Sequence, residues 1–212
     1  MSARPARHGS REGAATRKAS ALAPGKIRII GGRWKRTPIA VVGAAELRPS
    51  PDRVRETLFN WLGGSVQGSR CLDLFAGTGA LGLEAASRGA AEVVLVERDR
   101  AASAAISAII DRLGAHSEVK LINDDALTAL GRLAATGTAA FDVVFLDPPF
   151  GQAWPERVWS ALEPLMSPAA RLYVEAGSAF AAPPGWAMLR SGQAGKVHYH
   201  LLVRGAVATD KA

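Results

Sequence analysis

Between residues 70 and 176 five apolar runs recur, each separated from the next by a helical pattern. RCLDLF, EVVLVE, EVKLI, FDVVFLD and ARLYVEA read as strands; ALGLEAASRG, RAASAAISAIIDRLG, DALTALGRLA and PERVWSALEPLM read as helices. Strands that are apolar along their whole length are covered on both faces, and strands joined through helices run parallel. The end of the chain departs from this pattern. WAMLRSG and KVHYHLLVR meet across SGQAG, a connection too short for a crossover, so they form an antiparallel pair. The expected fold is α/β, with a mostly parallel sheet, helices on both faces and a C-terminal antiparallel hairpin.

Charge is distributed unevenly. Residues 1–60 hold 13 Lys or Arg and 4 Asp or Glu, whereas residues 61–212 hold 13 and 15. The formal net charge of +7 therefore belongs to the front, which suits a polyanionic partner. Residues 1–25 lack hydrophobic periodicity and read as a disordered, solubilising basic tail, faintly like a transit peptide. KIRIIGGRWKRTPIAVV reads as two short strands around Gly31-Gly32, carrying Lys26, Arg28, Arg33, Lys35 and Arg36 beside Trp34. LRPSPDRVRETLFNWL reads as a helix with Ser50 as N-cap and Pro51 at its first position. Val54, Leu58, Trp61 and Leu62 make its apolar face, and Arg48, Arg53 and Arg55 stand at its start. The expected organisation is a tail (1–25), a basic extension (26–64), an α/β domain (65–205) and a short C-terminal tail (206–212).

Other features exclude function classes. No apolar run approaches the ~20 residues of a membrane span, so no membrane partner and a cytoplasmic location are expected. The single cysteine, Cys71, reads as a buried structural thiol. His8, His116, His198 and His200 make no cluster at metal-ligand spacing, and no metal is expected. His198 and His200 share a strand face and suggest a role at the sheet edge.

DLFAGTGALG contains a GxGxxG in Gly77, Gly79 and Gly82, placed between a strand and a helix. Glu97 closes the second strand, 20 positions beyond Gly77, where a carboxylate grips ribose hydroxyls. That spacing fits a nicotinamide dinucleotide and an adenosyl nucleoside alike. Asp73 tilts the choice: an anion suits a cofactor carrying an ammonium and a sulfonium, such as S-adenosylmethionine, and repels a pyrophosphate. Asp124 and Asp125 close the third strand, where a carboxylate either accepts from the adenine amine or caps the next helix.

FLDPPF (145–150) ends the fourth strand. Two consecutive prolines stop the ladder and hold a stiff turn. Asp147 and the Pro148 carbonyl become two fixed acceptors, with the Phe150 ring beside them. Two acceptors and a flat ring suit a planar group bearing NH₂, such as a nucleobase amine.

RIIGGRW, LRPSPDRVRETLFNWL, CLDLFAGTGALGLEAASRGA, VERD and DPPF together resemble the RsmD family, bacterial class I S-adenosylmethionine-dependent methyltransferases acting on guanine N2 of 16S rRNA. The resemblance runs from about residue 27 to about residue 203. It implies a Rossmann-like class I methyltransferase sheet, S-adenosylmethionine as cofactor, and 16S rRNA as partner, free or within the small subunit, with a monomeric enzyme. Carried over residue by residue, it assigns Asp73, Phe75, Gly77, Gly79, Glu97, Asp125 and Ala126 to the cofactor. Asp147, Pro148 and Phe150 would hold the target guanine, and Glu175, closing LYVE, would be either a pocket residue or a structural one. Arg28, Arg33, Lys35, Arg36, Arg48, Arg53 and Arg55 would grip RNA phosphates, although Arg53 and Arg55 also have Glu56 and Asp52 within reach. Rival readings are a DNA adenine-N6 methyltransferase, a glutamine-amide methyltransferase, a nicotinamide oxidoreductase and an RNA-binding protein without catalysis.

Overall fold

A computed structural model describes residues 26–42, 51–137, 140–149, 154–178 and 180–205. Both tails, Arg48, Ser50 and Phe150 lie outside the described residues. Two short strands open the chain, β1 (Lys26–Arg28) and β2 (Pro38–Ala40), paired antiparallel with Ile27 opposite Ile39. Helix α1 (Asp52–Leu62) follows. Its entry differs from expectation: Pro51 is the N-cap, in extended conformation, and its carbonyl accepts from Val54 and Arg55.

The alternating segment gives β3 (Arg70–Asp73), α2 (Ala80–Ser87), β4 (Glu92–Val96), α3 (Arg100–Leu113), β5 (Val119–Ile122), α4 (Ala126–Ala135), β6 (Phe141–Leu146) and α5 (Trp154–Leu162). Then come β7 (Met166–Ala176), β8 (Trp186–Ala194) and β9 (Val197–Arg204). One seven-stranded sheet runs in the order β5-β4-β3-β6-β7-β9-β8. The first five strands are parallel, and β9 pairs antiparallel with both β7 and β8. The hairpin turn is tighter than SGQAG suggests, because β8 continues to Ala194. His198 and His200 are not at the edge, since β9 lies between β7 and β8. His200 is instead buried, 6.1 Å from the Phe180 ring.

Strand alternation splits the core in two. Cys71, Val93, Leu95, Phe145, Tyr173 and Leu201 face Leu58, Phe59 and Ile106 of α1 and α3. Leu72, Val94, Val144, Leu146 and Val174 face Leu130 of α4 and Val158 and Leu162 of α5. Cys71 is the buried thiol expected; burial pushes it up to about 12, with the Ser69 hydroxyl 3.2 Å away.

The extension is not an appendage, because Ile29, Ile39, Val54, Leu58 and Phe59 belong to the first of these clusters. The loop after β1 lies on the end of α2. Arg33 N–H donates to the Ser87 carbonyl at 2.8 Å, and Trp34 N–H to Ser87 Oγ at 3.0 Å. Gly32 has φ 72°, and a Cβ there would stand 1.8 Å from the Ser87 carbonyl oxygen. Only glycine meets both demands. Below it, Glu84 of α2 is fully buried and accepts from Ile30 N–H at 2.6 Å, Gly31 N–H at 2.8 Å and Arg88 Nε at 2.6 Å.

Candidate active site

The residues singled out in the sequence collect at the carboxyl ends of β3, β4 and β6. Sheet register explains how. Leu95, Asp73, Phe145, Tyr173 and Leu201 form one row across β4, β3, β6, β7 and β9. Two residues further along the same strands stand Glu97, Phe75, Asp147, Glu175 and Tyr199. Glu97 and Asp147 are separated by two strand spacings, roughly 10 Å across the sheet.

Asp73 is 1% exposed. Its Oδ2 accepts from Gly82 N–H at 3.0 Å. Gly82 lies in the first turn of α2, so Asp73 already takes one of the free N–H groups a pyrophosphate would use. A Cβ at Gly82 would sit 2.1 Å from Leu95 Cδ2, so the glycine lets helix and strand come this close. The Asp73 Oδ1 is buried and has no hydrogen-bond partner among the described residues. An orphaned carboxylate oxygen beside a glycine-rich turn fits an ammonium group and not a phosphate.

Glu97 joins the two halves of the cradle. Its Oε2 accepts from Gly77 N–H and its Oε1 from Asp99 N–H, both at 2.7 Å. A carboxylate has about four acceptor sites, so two directions remain for vicinal hydroxyls. Gly77 (φ 54°) and Gly79 (φ 75°) supply the left-handed turn that leads into α2. Phe75 is half-buried against the second core cluster. These residues fit S-adenosylmethionine: Asp73 for its amino group, Glu97 for the ribose, and the Gly77–Gly79 backbone for the methionine part.

Asp125 has a structural task. It is the N-cap of α4 and accepts from Leu127 N–H, Thr128 N–H and the Thr128 hydroxyl, which hold its carboxyl below the usual range. Capping is thus the role seen for this side chain, and an adenine contact would have to share it. Ala126 is buried at the start of α4. Asp124 pairs with Arg132 at 2.7 Å.

Asp147 is half-buried just after β6, Pro148 is buried and Pro149 exposed. Behind them, the Phe145 and Tyr173 rings meet edge-on at 6.5 Å. Glu175 is 4% exposed and accepts from the Tyr173 hydroxyl at 2.7 Å.

The basic set divides. Arg55 is 0% exposed, which removes it from any phosphate surface. Its Nη2 donates to Asp52 at 2.6 Å and to the Arg28 carbonyl at 2.9 Å, and its Nη1 stands 3.9 Å from Glu84. Arg28 pairs with Asp52 at 3.3 Å; Arg33 pairs with Glu118 at 2.7 Å and lies 4.0 Å over the Trp34 ring. Lys35, Arg36 and Arg53 are exposed and make no ion pair among the described residues. Sequence reasoning missed Glu84, the one charged residue in ALGLEAAS, whose isolation among apolar neighbours was the available signal.

Asp73 makes the site pH-sensitive. Burial pushes its carboxyl up to about 7 from an ordinary 3.8, against the Gly82 hydrogen bond and reinforced by Glu97. The folded protein therefore holds this proton more tightly than the unfolded chain. Its contribution to stability is complete below about pH 4 and is lost as pH rises through about 7. With Asp73 proposed as the ammonium ligand, affinity for the cation-bearing cofactor should move oppositely. Calorimetry on the wild type should show it falling by up to about tenfold per pH unit below 7. Asp73→Asn should bind more weakly, with no such dependence; an unchanged pH profile in that variant would remove Asp73 as the ammonium ligand.

Comparisons with known proteins agree on one family. A family model described as conserved hypothetical protein 95 matches residues 27–203. The ribosomal RNA small subunit methyltransferase D of Escherichia coli K12 is 40% identical over 193 residues, covering 89% of this chain and 95% of that protein. Its Haemophilus influenzae namesake is 39% identical over 184 residues, covering 84% and 94%. A solved Escherichia coli structure described as "putative methyltransferase yhhF" superposes with a TM-score of 0.75 at 41% identity, covering 86% of this chain and all of that one. An RNA methyltransferase from Salinibacter ruber, solved with S-adenosyl-L-homocysteine, shares the fold at 17% identity and a TM-score of 0.57, over 77% of this chain and 97% of its own.

Proposed function

The chain belongs to the RsmD family of small-subunit rRNA methyltransferases, and on that premise we propose that it methylates the exocyclic N2 amine of a guanine in 16S rRNA. The cofactor is S-adenosylmethionine. The observation that carries the reading is the Asp147-Pro148 corner, standing on the same end of the sheet as the Asp73–Glu97 cradle and two strands from Glu97.

Bound, the cofactor supplies an electrophilic methyl group on a sulfonium. The chain's own residues do the rest. Guanine N2 is a weak nucleophile because its lone pair is delocalised into the ring. The Asp147 carboxylate and the Pro148 carbonyl accept its two N–H bonds, turning them aside so that the lone pair faces the methyl group. As the amine took up the methyl group that the bound cofactor would supply, the N2 proton would pass to Asp147 or water. Asp147 opposes the positive charge growing on nitrogen. Holding both partners in line is worth effective molarities of roughly 10⁵ M or more. The base must be unpaired or flipped out; stacking on it is the role proposed from the sequence for Phe150, which lies outside the described residues.

Labelled methyl transfer to small ribosomal subunits, naked 16S rRNA and DNA, followed by nucleoside analysis, tests the reading. The expected product is N2-methylguanosine from rRNA or from the subunit. Label in DNA adenine, or in no nucleic acid, would overturn it.

Lys35, Arg36 and Arg53 are the side chains that favour an RNA surface on the extension. Changing all three to Glu should weaken RNA binding by tenfold or more and flatten its dependence on salt, by about 0.7–0.9 in log–log slope for each lost phosphate contact. Cofactor affinity, read in the same titration series, should stay within about twofold. A parallel fall in both would make these residues structural.

A further inference from the structure

Glu175 is buried, and the methyl transfer described above does not use it. It is the next-to-last residue of β7, one position beyond Val174, which with Leu146 makes the last paired position of β6 and β7, and so it stands beside Asp147. The two strands are roughly 4.8 Å apart. Continuing the alternation that puts Phe145 and Tyr173 on one face, Asp147 and Glu175 share that face. On the other side Glu175 pairs in register with Tyr199, whose ring stacks on Trp61 at 5.3 Å. The Tyr173 hydroxyl donates to Glu175 Oε1 at 2.7 Å and so orients the carboxylate. Burial raises the Tyr173 phenol, and the charges of Glu175 and then Asp147 raise it further. Two carboxylates thus act on one phenol.

We propose that Glu175 is the residue that selects guanine, by accepting the hydrogen of guanine N1 while Asp147 and Pro148 hold the N2 amine. The proposal rests on the guanine-N2 reading and deepens it. Guanine carries adjacent donors at N1 and N2. A purine with a bare lone pair at N1 would set that lone pair against a carboxylate. Sites built to hydrogen-bond a specific substrate N–H reject analogues lacking it strongly. Tyr173 is a positioning residue: its hydroxyl holds the carboxylate in the plane of the base.

The test compares two otherwise identical substrate RNAs, one with guanine and one with 2,6-diaminopurine at the target. The second keeps the N2 amine and loses the N1 hydrogen. Wild type should prefer guanine by about 10²-fold or more in kcat/KM. Glu175→Gln can turn its amide to donate to the bare N1, so its preference should shrink at least tenfold. Tyr173→Phe should shrink it less, in the same direction. The preference is a ratio within one enzyme sample, so partial unfolding of a variant does not alter it. If Glu175→Gln keeps the wild-type preference while losing activity on both RNAs alike, Glu175 is a structural carboxylate and the inference fails with the guanine-N2 reading intact. If wild type methylates neither base, or both equally, the inference falls. Only the first of those outcomes also removes the guanine-N2 reading.

Discussion

Replacing Asp147 by alanine is expected to lower kcat on the RNA substrate by about 10²–10³-fold, the usual cost of one preorganised polar contact to a transition state. Asp147 stands beyond the end of β6, after Leu146, and in the proposed mechanism its carboxylate would face charge that exists only as the C–N bond forms. Ground-state RNA binding comes largely from phosphates elsewhere, so KM should move by only a few-fold. Cofactor affinity should be unchanged, because Asp73 and Glu97 are held by the backbone N–H groups of Gly82, Gly77 and Asp99. Asp147→Asn keeps an acceptor oxygen and loses the charge, so it should fall between alanine and wild type. Rapid-quench measurement of a single turnover separates the chemical step from product release. An alanine variant with wild-type single-turnover rate would show that this corner does not touch the reacting amine.

The second large effect is on stability, and it comes from α2. Glu84 is fully buried between two guanidinium groups and two backbone N–H groups of the extension. Glu84→Ala leaves Arg55, itself 0% exposed, with a less well compensated charge and strips Ile30 and Gly31 of their acceptor. Breaking a buried pair from one side costs about 3–5 kcal/mol. For a domain of this size that lowers Tm by roughly 6–20 °C. The double variant Glu84→Leu, Arg55→Leu should regain part of the loss, since it removes both charges. It cannot regain all of it, because the two N–H groups stay unpaired. Amide exchange at Ile30 and Gly31 should accelerate in both variants. A melt of Glu84→Ala within about 1 °C of wild type would mean that the extension is held by its apolar contacts alone.

Most of the architecture was legible in the amino-acid sequence. Apolar runs and helical patterns gave β3 to β9 and α2 to α5 to within a few residues, because both periods are local properties of the chain. SGQAG implied the antiparallel pairing that β8 and β9 show. Asp73 beside the glycine turn already argued for a cationic cofactor, and its buried Oδ1, without a hydrogen-bond partner among the described residues, is the structural counterpart of that argument. Arg55 was misread from its neighbours in sequence. It follows Arg48 and Arg53 in a basic stretch, but the helical period places it with Leu58, Phe59 and Leu62, on the face that packs inward. Asp125 shows the opposite difficulty: its position permits capping and binding equally, and only the hydrogen bonds to Thr128 and Leu127 show the cap.

By itself the sequence determined the elements, their parallel or antiparallel sense, and the end of the sheet where the acidic residues gather, because spacing along a chain dictates these directly. Strand order was decided only in three dimensions. It sets β6 between β3 and β7, and so brings Asp147 between the Asp73–Glu97 cradle and Glu175. The same is true of the fate of each charge. Arg55 and Glu84 lie 29 positions apart in the chain, and whether a guanidinium meets water, RNA or a buried carboxylate depends on which helix is laid across it.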